Sequence, residues 1–216
     1  MKRKNDSSLC WRTKPIVNGV SDLSEIVADY KKKYLDALEE NLPKIFSGTI
    51  KNCICGAIND KEYLPDDADE KYKKGPHQRR LTNAQINDFE KALKEAGFDN
   101  QKFHSFHELY SWVLKNRING FRELRCYDFS LCYGYNKELR PFEFVYIHAG
   151  TRAGAEALKE KGLLQSEITD RIPVKAFPQI LQNLGAIHIE NLLCIYNDAL
   201  KGIKDVKKVK SKICIK

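Results

Sequence analysis

The chain has 216 residues, 42% of them apolar and 31% charged, with a formal net charge of +8. A chain of this length buries a core without disulfide or metal staples, and the composition is that of a globular protein. No apolar run approaches the roughly 20 residues of a membrane span, and the basic start MKRKN leads into no apolar stretch of the secretory kind.

The positive charge is uneven. Residues 1–20 hold five Lys or Arg against one Asp, and residues 201–216 hold seven Lys against one Asp, so the body between is slightly acidic. The expectation is a flexible basic arm at 1–20, a single α-helical domain at 21–203 and a second basic arm at 204–216. Such arms suit nucleic acid or an anionic surface, and they suit plain solubility equally well.

Asp22 with Glu25 reads as a capping box before a helix of about 20 residues. Its apolar positions Leu23, Ile26, Val27, Tyr30, Tyr34, Leu35 and Leu38 are spaced for one buried stripe, and Leu42–Pro43 ends it. Residues 44–58 suit either a short helix or a strand. Residues 59–76, an acidic run and then a basic one between two prolines, predict a loop with little to bury. Thr82 with Gln85 caps a helix whose inner face is Ile86, Phe89, Leu93 and Ala96, with Gly97 as its stop. Ser105 with Glu108 opens another, lined by Phe106, Leu109, Tyr110, Val113 and Leu114 and ended by Asn119–Gly120.

The helix expected at 121–134 is apolar on nearly every side and so belongs at the centre of the core. Asp128 lies in its middle. A carboxylate there calls for a partner, an arginine or a tyrosine hydroxyl, and a catalytic role is the second reading. Val145, Tyr146 and Ile147 suit a short strand or a buried helical turn. Thr151 is expected to cap a helix that runs to about Lys161, Pro173 and Pro178 to bracket a loop, and a last helix to run over about 187–203. The fold class is mainly α, a compact multi-helix domain with a central helical hairpin.

Seven cysteines, an odd number with no CxxC pair, point to a reducing, cytoplasmic setting rather than a disulfide framework. The CxC of Cys53 and Cys55 is a poor zinc spacing, and His104 lies before the helix that carries His107, so no metal is expected. With no GxGxxG and no Walker loop, no nucleotide cofactor is expected either.

The run Ile118-Asn119-Gly120-Phe121-Arg122-Glu123-Leu124-Arg125-Cys126 resembles the helix-hairpin-helix motif of DNA-binding proteins, over about 20–25 residues counting the flanking helices. The resemblance implies phosphate binding. Glycine lets the backbone come close, N–H groups at the start of the second helix hold the anion, and Arg117, Arg122 and Arg125 add charge beside Asn119 and Gly120. The chain departs from the motif at Arg122, which stands where its second glycine belongs. A plain helical hairpin with an Asn-Gly turn accounts for the same residues. Among enzymes of this kind, glycosylases carry a hairpin lysine and a later aspartate. Those positions fall near Leu124 and Phe142 here, so the resemblance does not extend to that chemistry.

A second anion site is suggested by HAGTRAGA at 148–155, where Gly150, the Thr151 cap and Arg152 gather helix N–H groups and a guanidinium. An ordinary cap with a surface arginine gives the same pattern. GPHQRR adds Arg79 and Arg80 beside His77. Aromatic residues near the centre suit core packing first and base stacking second. The functional expectation is a protein that contacts nucleic acid, DNA first, through backbone phosphates and without sequence preference. Two other classes remain open. One is an enzyme acting on a phosphorylated small molecule or a nucleic-acid end, with Asp128, His77 or His148 as its acid–base group. The other is a protein-interaction module.

Overall fold

The computed structural model describes residues 22–36, 39, 50–55, 81–135 and 137–203. The two basic arms, the 59–76 loop and the His77, Arg79 and Arg80 cluster lie outside the described residues. The protein is mainly helical, with one two-stranded sheet among the described residues. The chain divides into two compact units. The first holds Lys31–Pro141; the second holds the stretch ending at Tyr30 and the one beginning at Phe142.

In the first unit, α2 (Ile50–Cys55), α3 (Asn83–Glu95), α4 (Phe106–Lys115) and α5 (Glu123–Tyr135) follow a π turn at Lys31–Leu35. The stretch 44–58, open between helix and strand on periodicity, is therefore helical over its described residues, 50–55. Thr82 and Gln85 form the expected capping box, each side chain accepting from the other's backbone N–H at 3.1 and 3.0 Å. Ile86, Phe89 and Leu93 are buried as their spacing demands, but Ala96 is exposed. It occupies the C-cap, where Gly97 at φ +82° turns the chain off the helix axis, so the inner face stops one turn earlier.

Helix α4 starts on Ser105, whose side chain accepts from the Glu108 N–H at 3.1 Å. The Glu108 carboxylate reaches one residue further back than a standard box and accepts from the His104 N–H at 2.8 Å. Helix α5 packs against α2 and α4, which explains why it is apolar on so many sides. Its core is aromatic. Phe89 stacks on Phe121 at 3.9 Å between ring centres and meets Phe129 edge-on at 5.8 Å, while Phe106 and Tyr110 close on Tyr127. Each such ring removed from water contributes about 1.5–3 kcal/mol. Asp128 is half-buried, so the full cost of a carboxylate sealed in this core does not arise.

The second unit begins with α1 (Leu23–Tyr30), where Asp22 accepts from the Glu25 N–H at 3.1 Å. The helical run continues past Tyr30 through a π turn at Lys31–Leu35, and Asp36 and Glu39 are again α-helical, as the long apolar stripe led one to expect over the described residues. After β1 (Phe144–Tyr146) come α6 (Ala149–Glu160), β2 (Arg171–Pro173), α7 (Gln179–Gln182), α8 (Ala186–Ile195) and α9 (Asn197–Lys201). The strands are antiparallel, with Val145 opposite Ile172, so Val145 and Tyr146 are strand and Ile147 lies just past its end. Burial pushes the Tyr146 hydroxyl above its usual pKa, and Arg171 opposes that shift.

The last helix is broken at Tyr196 instead of continuous over 187–203. At the break the Asn197 amide donates to the Cys194 carbonyl at 2.7 Å and so satisfies one helix-end carbonyl, while the Tyr196 hydroxyl donates to Asp29 at 2.7 Å. Helices α6 and α8 approach so closely at Gly154 that a Cβ there would land on the Leu193 backbone. Tyr30 joins α1 to α8 through its hydroxyl and His188 Nδ1, 2.8 Å apart. Among the described residues no helix is long and apolar enough to cross a membrane.

Candidate nucleic-acid interface

The hairpin between α4 and α5 is built from its carbonyls outward. Helix α4 ends at Asn116, whose N–H and side-chain amide both donate to the Trp112 carbonyl, at 3.1 and 2.8 Å. Arg117 lies alongside and donates from Nη1 to the Leu114 carbonyl at 2.7 Å, a basic group on the negative end of the helix. The chain then turns over four residues. The Phe121 N–H donates to the Ile118 carbonyl at 3.1 Å, and Gly120 takes φ +91°. A side chain at that φ is strained, so the turn requires glycine at this position.

Phe121 anchors the far side by lying on Phe89, and the Arg125 guanidinium reaches back to donate to the Gly120 carbonyl. The Arg122 carbonyl accepts from the N–H groups of Arg125 and Cys126 at 3.0 and 3.1 Å, which starts α5. The N–H groups of Glu123 and Leu124 precede those donors and belong to the positive end of a 13-residue helix.

The three hairpin arginines therefore have different duties. Arg117, itself exposed, closes the end of α4 and the half-buried Arg125 locks the turn, while Arg122 and Asn119 are exposed at the mouth of the hairpin. Glu123, also exposed, offsets part of the positive charge there. Behind the mouth, burial pushes the Cys126 thiol up to about 12, with Glu123 and Asp128 adding to the shift and Arg117 opposing it.

One neighbour of the hairpin had no signal as a site residue in the sequence. Gln85 of α3 places its Nε2 3.0 Å from where a Cβ on Gly120 would stand. The Thr82–Gln85 capping box is legible in the sequence, but its proximity to residue 120 arises only from the packing of Phe89 on Phe121.

The 148–152 stretch belongs to the second unit and differs from expectation. The N-cap of α6 is His148, in extended backbone at φ −103°, and its carbonyl accepts from the Arg152 N–H at 2.7 Å. Thr151 is thus inside the first turn, not the cap. Its hydroxyl donates to the buried Glu190 at 2.7 Å, because a polar side chain on the α6–α8 seam must find a partner there. Gly150 lies against Cys194, whose Sγ would be 2.8 Å from a Cβ at that position. Arg152 turns to the 168–170 loop, donating to the Ile168 carbonyl at 3.4 Å and standing 3.8 Å from Asp170. His148 is buried. Among the described residues no three His, Cys, Asp or Glu side chains converge as metal ligands would.

No family model matches the chain, and no curated protein or solved structure matches it either.

Proposed function

We propose that the first unit binds nucleic acid, DNA in the first instance, by gripping backbone phosphate at the α4–α5 hairpin without reading sequence. The observation that carries this reading is the hairpin mouth. A left-handed Gly120 brings the turn backbone, the first N–H groups of α5 and the exposed Arg122 to one place. A phosphate oxygen there meets backbone donors, a helix dipole and a guanidinium together. The basic stretches at 1–20 and 204–216 add affinity of the salt-sensitive kind. The α6 start supports an anion site less well, since Thr151 and Arg152 already have protein partners.

Fluorescence anisotropy with a short DNA duplex over a range of salt tests the proposal. The comparison is between the full chain, a chain lacking 204–216, and Arg122→Ala. Arg122 is the informative arginine, because removing Arg125 would also unlock the turn. Binding that outlasts loss of the arm, together with a salt slope reduced by about one ion in Arg122→Ala, is the expected result. No binding at low salt, or an Arg122→Ala variant with unchanged affinity and slope, overturns it.

A further inference from the structure

We infer that Gln85, on α3, is a fourth member of the phosphate-binding hairpin, donating its side-chain amide to the same anion as Arg122. The inference rests on the nucleic-acid reading of the hairpin and adds to it a residue from a different helix.

The orientation of the Gln85 amide is determined by its partners. Its Oε1 lies 3.0 Å from the Thr82 backbone N–H and 3.3 Å from the Thr82 hydroxyl. A backbone N–H only donates, so the oxygen must face Thr82, and the NH2 group must face the other way. That other side is the hairpin turn, where Nε2 stands 3.0 Å from the Cβ position of Gly120. Among the described residues the NH2 group donates no hydrogen bond, and Gln85 is only half-buried. The capping box thus holds a two-proton donor beside the turn at little conformational cost, since the side chain is already ordered before any ligand arrives.

The rest of α3 supports the placement. One turn further on, Phe89 stacks on Phe121, the residue after Gly120. The helix is therefore pinned to the hairpin one turn beyond the Gln85 contact. A backbone phosphate at the hairpin mouth would meet the turn, the start of α5 and Arg122 on one side and the Gln85 amide on the other.

The test separates binding from folding with two substitutions at one position. Gln85→Glu keeps the acceptor of the capping box, which takes Glu as readily as Gln. It replaces the donor with a negative charge. Gln85→Lys removes the acceptor and presents a cation to the turn. Thermal melting and duplex affinity at low salt are measured for both, with Lys91→Gln as a control for net charge further along α3. Gln85→Glu is expected to melt with the wild type and to bind at least about fivefold more weakly, a larger loss than in Lys91→Gln. Gln85→Lys is expected to melt lower and yet bind at least as tightly.

Affinity that simply follows melting temperature in both variants would make Gln85 a structural residue and overturn the inference. So would a Gln85→Glu variant that binds like the wild type while Arg122→Ala weakens binding, and in that case the hairpin reading survives. Absence of binding by the wild-type chain overturns both.

Discussion

Gly154→Ala sets two ordinary effects against each other. In an exposed helix interior the change is favourable by about 0.8–1.0 kcal/mol, because alanine has the better helix propensity. Here the added Cβ would stand 2.9 Å from the Cα and carbonyl carbon of Leu193, and closer still to its oxygen. Those are backbone atoms of α8 and cannot swing aside as a side chain can, so α6 and α8 must part. Overpacking of this kind costs about 1–3 kcal/mol. Parting the helices also stretches the buried Thr151–Glu190 hydrogen bond, which crosses the same seam at 2.7 Å, and a weakened buried bond costs about 1 kcal/mol more. The penalties outweigh the propensity gain, and the net expectation is a loss of about 2 kcal/mol. Urea unfolding followed by far-ultraviolet circular dichroism measures it. Ala153→Gly, one residue away, calibrates propensity in the same helix. A Gly154→Ala variant as stable as the wild type, or more so, would refute the close approach of the two helices.

Glu90 of α3 is held below the usual carboxylate pKa, chiefly by its hydrogen bond with Lys94, 2.8 Å away, and also by Lys51 of α2 at 3.5 Å. A lowered folded-state pKa contributes stability above the unfolded value and loses it as pH falls through the folded one. Gln at position 90 should therefore lower stability slightly at neutral pH, with the gap to wild type closing in acid; a gap that persists unchanged in acid would remove the ion pair as its cause. Alkylation at pH 8 mapped by mass spectrometry should label the half-buried Cys194 well before the buried Cys53 and Cys126. Cys126, with its thiol pushed up to about 12, should stay unlabelled until the chain unfolds, and labelling at the rate of Cys194 would contradict its burial.

Helix starts and inner faces were legible because both are local. Thr82, Ser105 and Asp22 each accept from a backbone N–H three residues on, and that pattern is written in four consecutive residues. The apolar stripes of α3 and α4 follow from a 3.6-residue period, and Asn119–Gly120 marks its turn by the φ that only glycine adopts readily. Thr151 was misleading for the opposite reason. A threonine after Gly150 has the local look of a cap, but its hydroxyl belongs to Glu190, 39 residues away. The partner of the Tyr196 hydroxyl is likewise distant: it is Asp29, 167 residues earlier in the chain. The hairpin arginines were visible as a cluster. Which of them bond to the backbone depends on where the carbonyls of residues 114 and 120 end up.

That division of the arginines bears on Arg122, the one departure from the two-glycine hairpin. A second glycine would let the backbone itself come close to a phosphate. In the proposed phosphate site, arginine at 122 would give up that approach and replace it with a longer, charged arm. The exchange works only if the turn stays rigid without the second glycine, since a mobile turn would scatter both the arm and the first N–H groups of α5. Three contacts supply that rigidity: Arg125 on the Gly120 carbonyl, Phe121 on Phe89, and the Ile118–Phe121 hydrogen bond. In the proposed site Arg125 would therefore act through shape and Arg122 through charge. Lysine should substitute better at 122 than at 125, where a single ammonium would have to span the five residues back to Gly120 and hold the carbonyl without a planar fork.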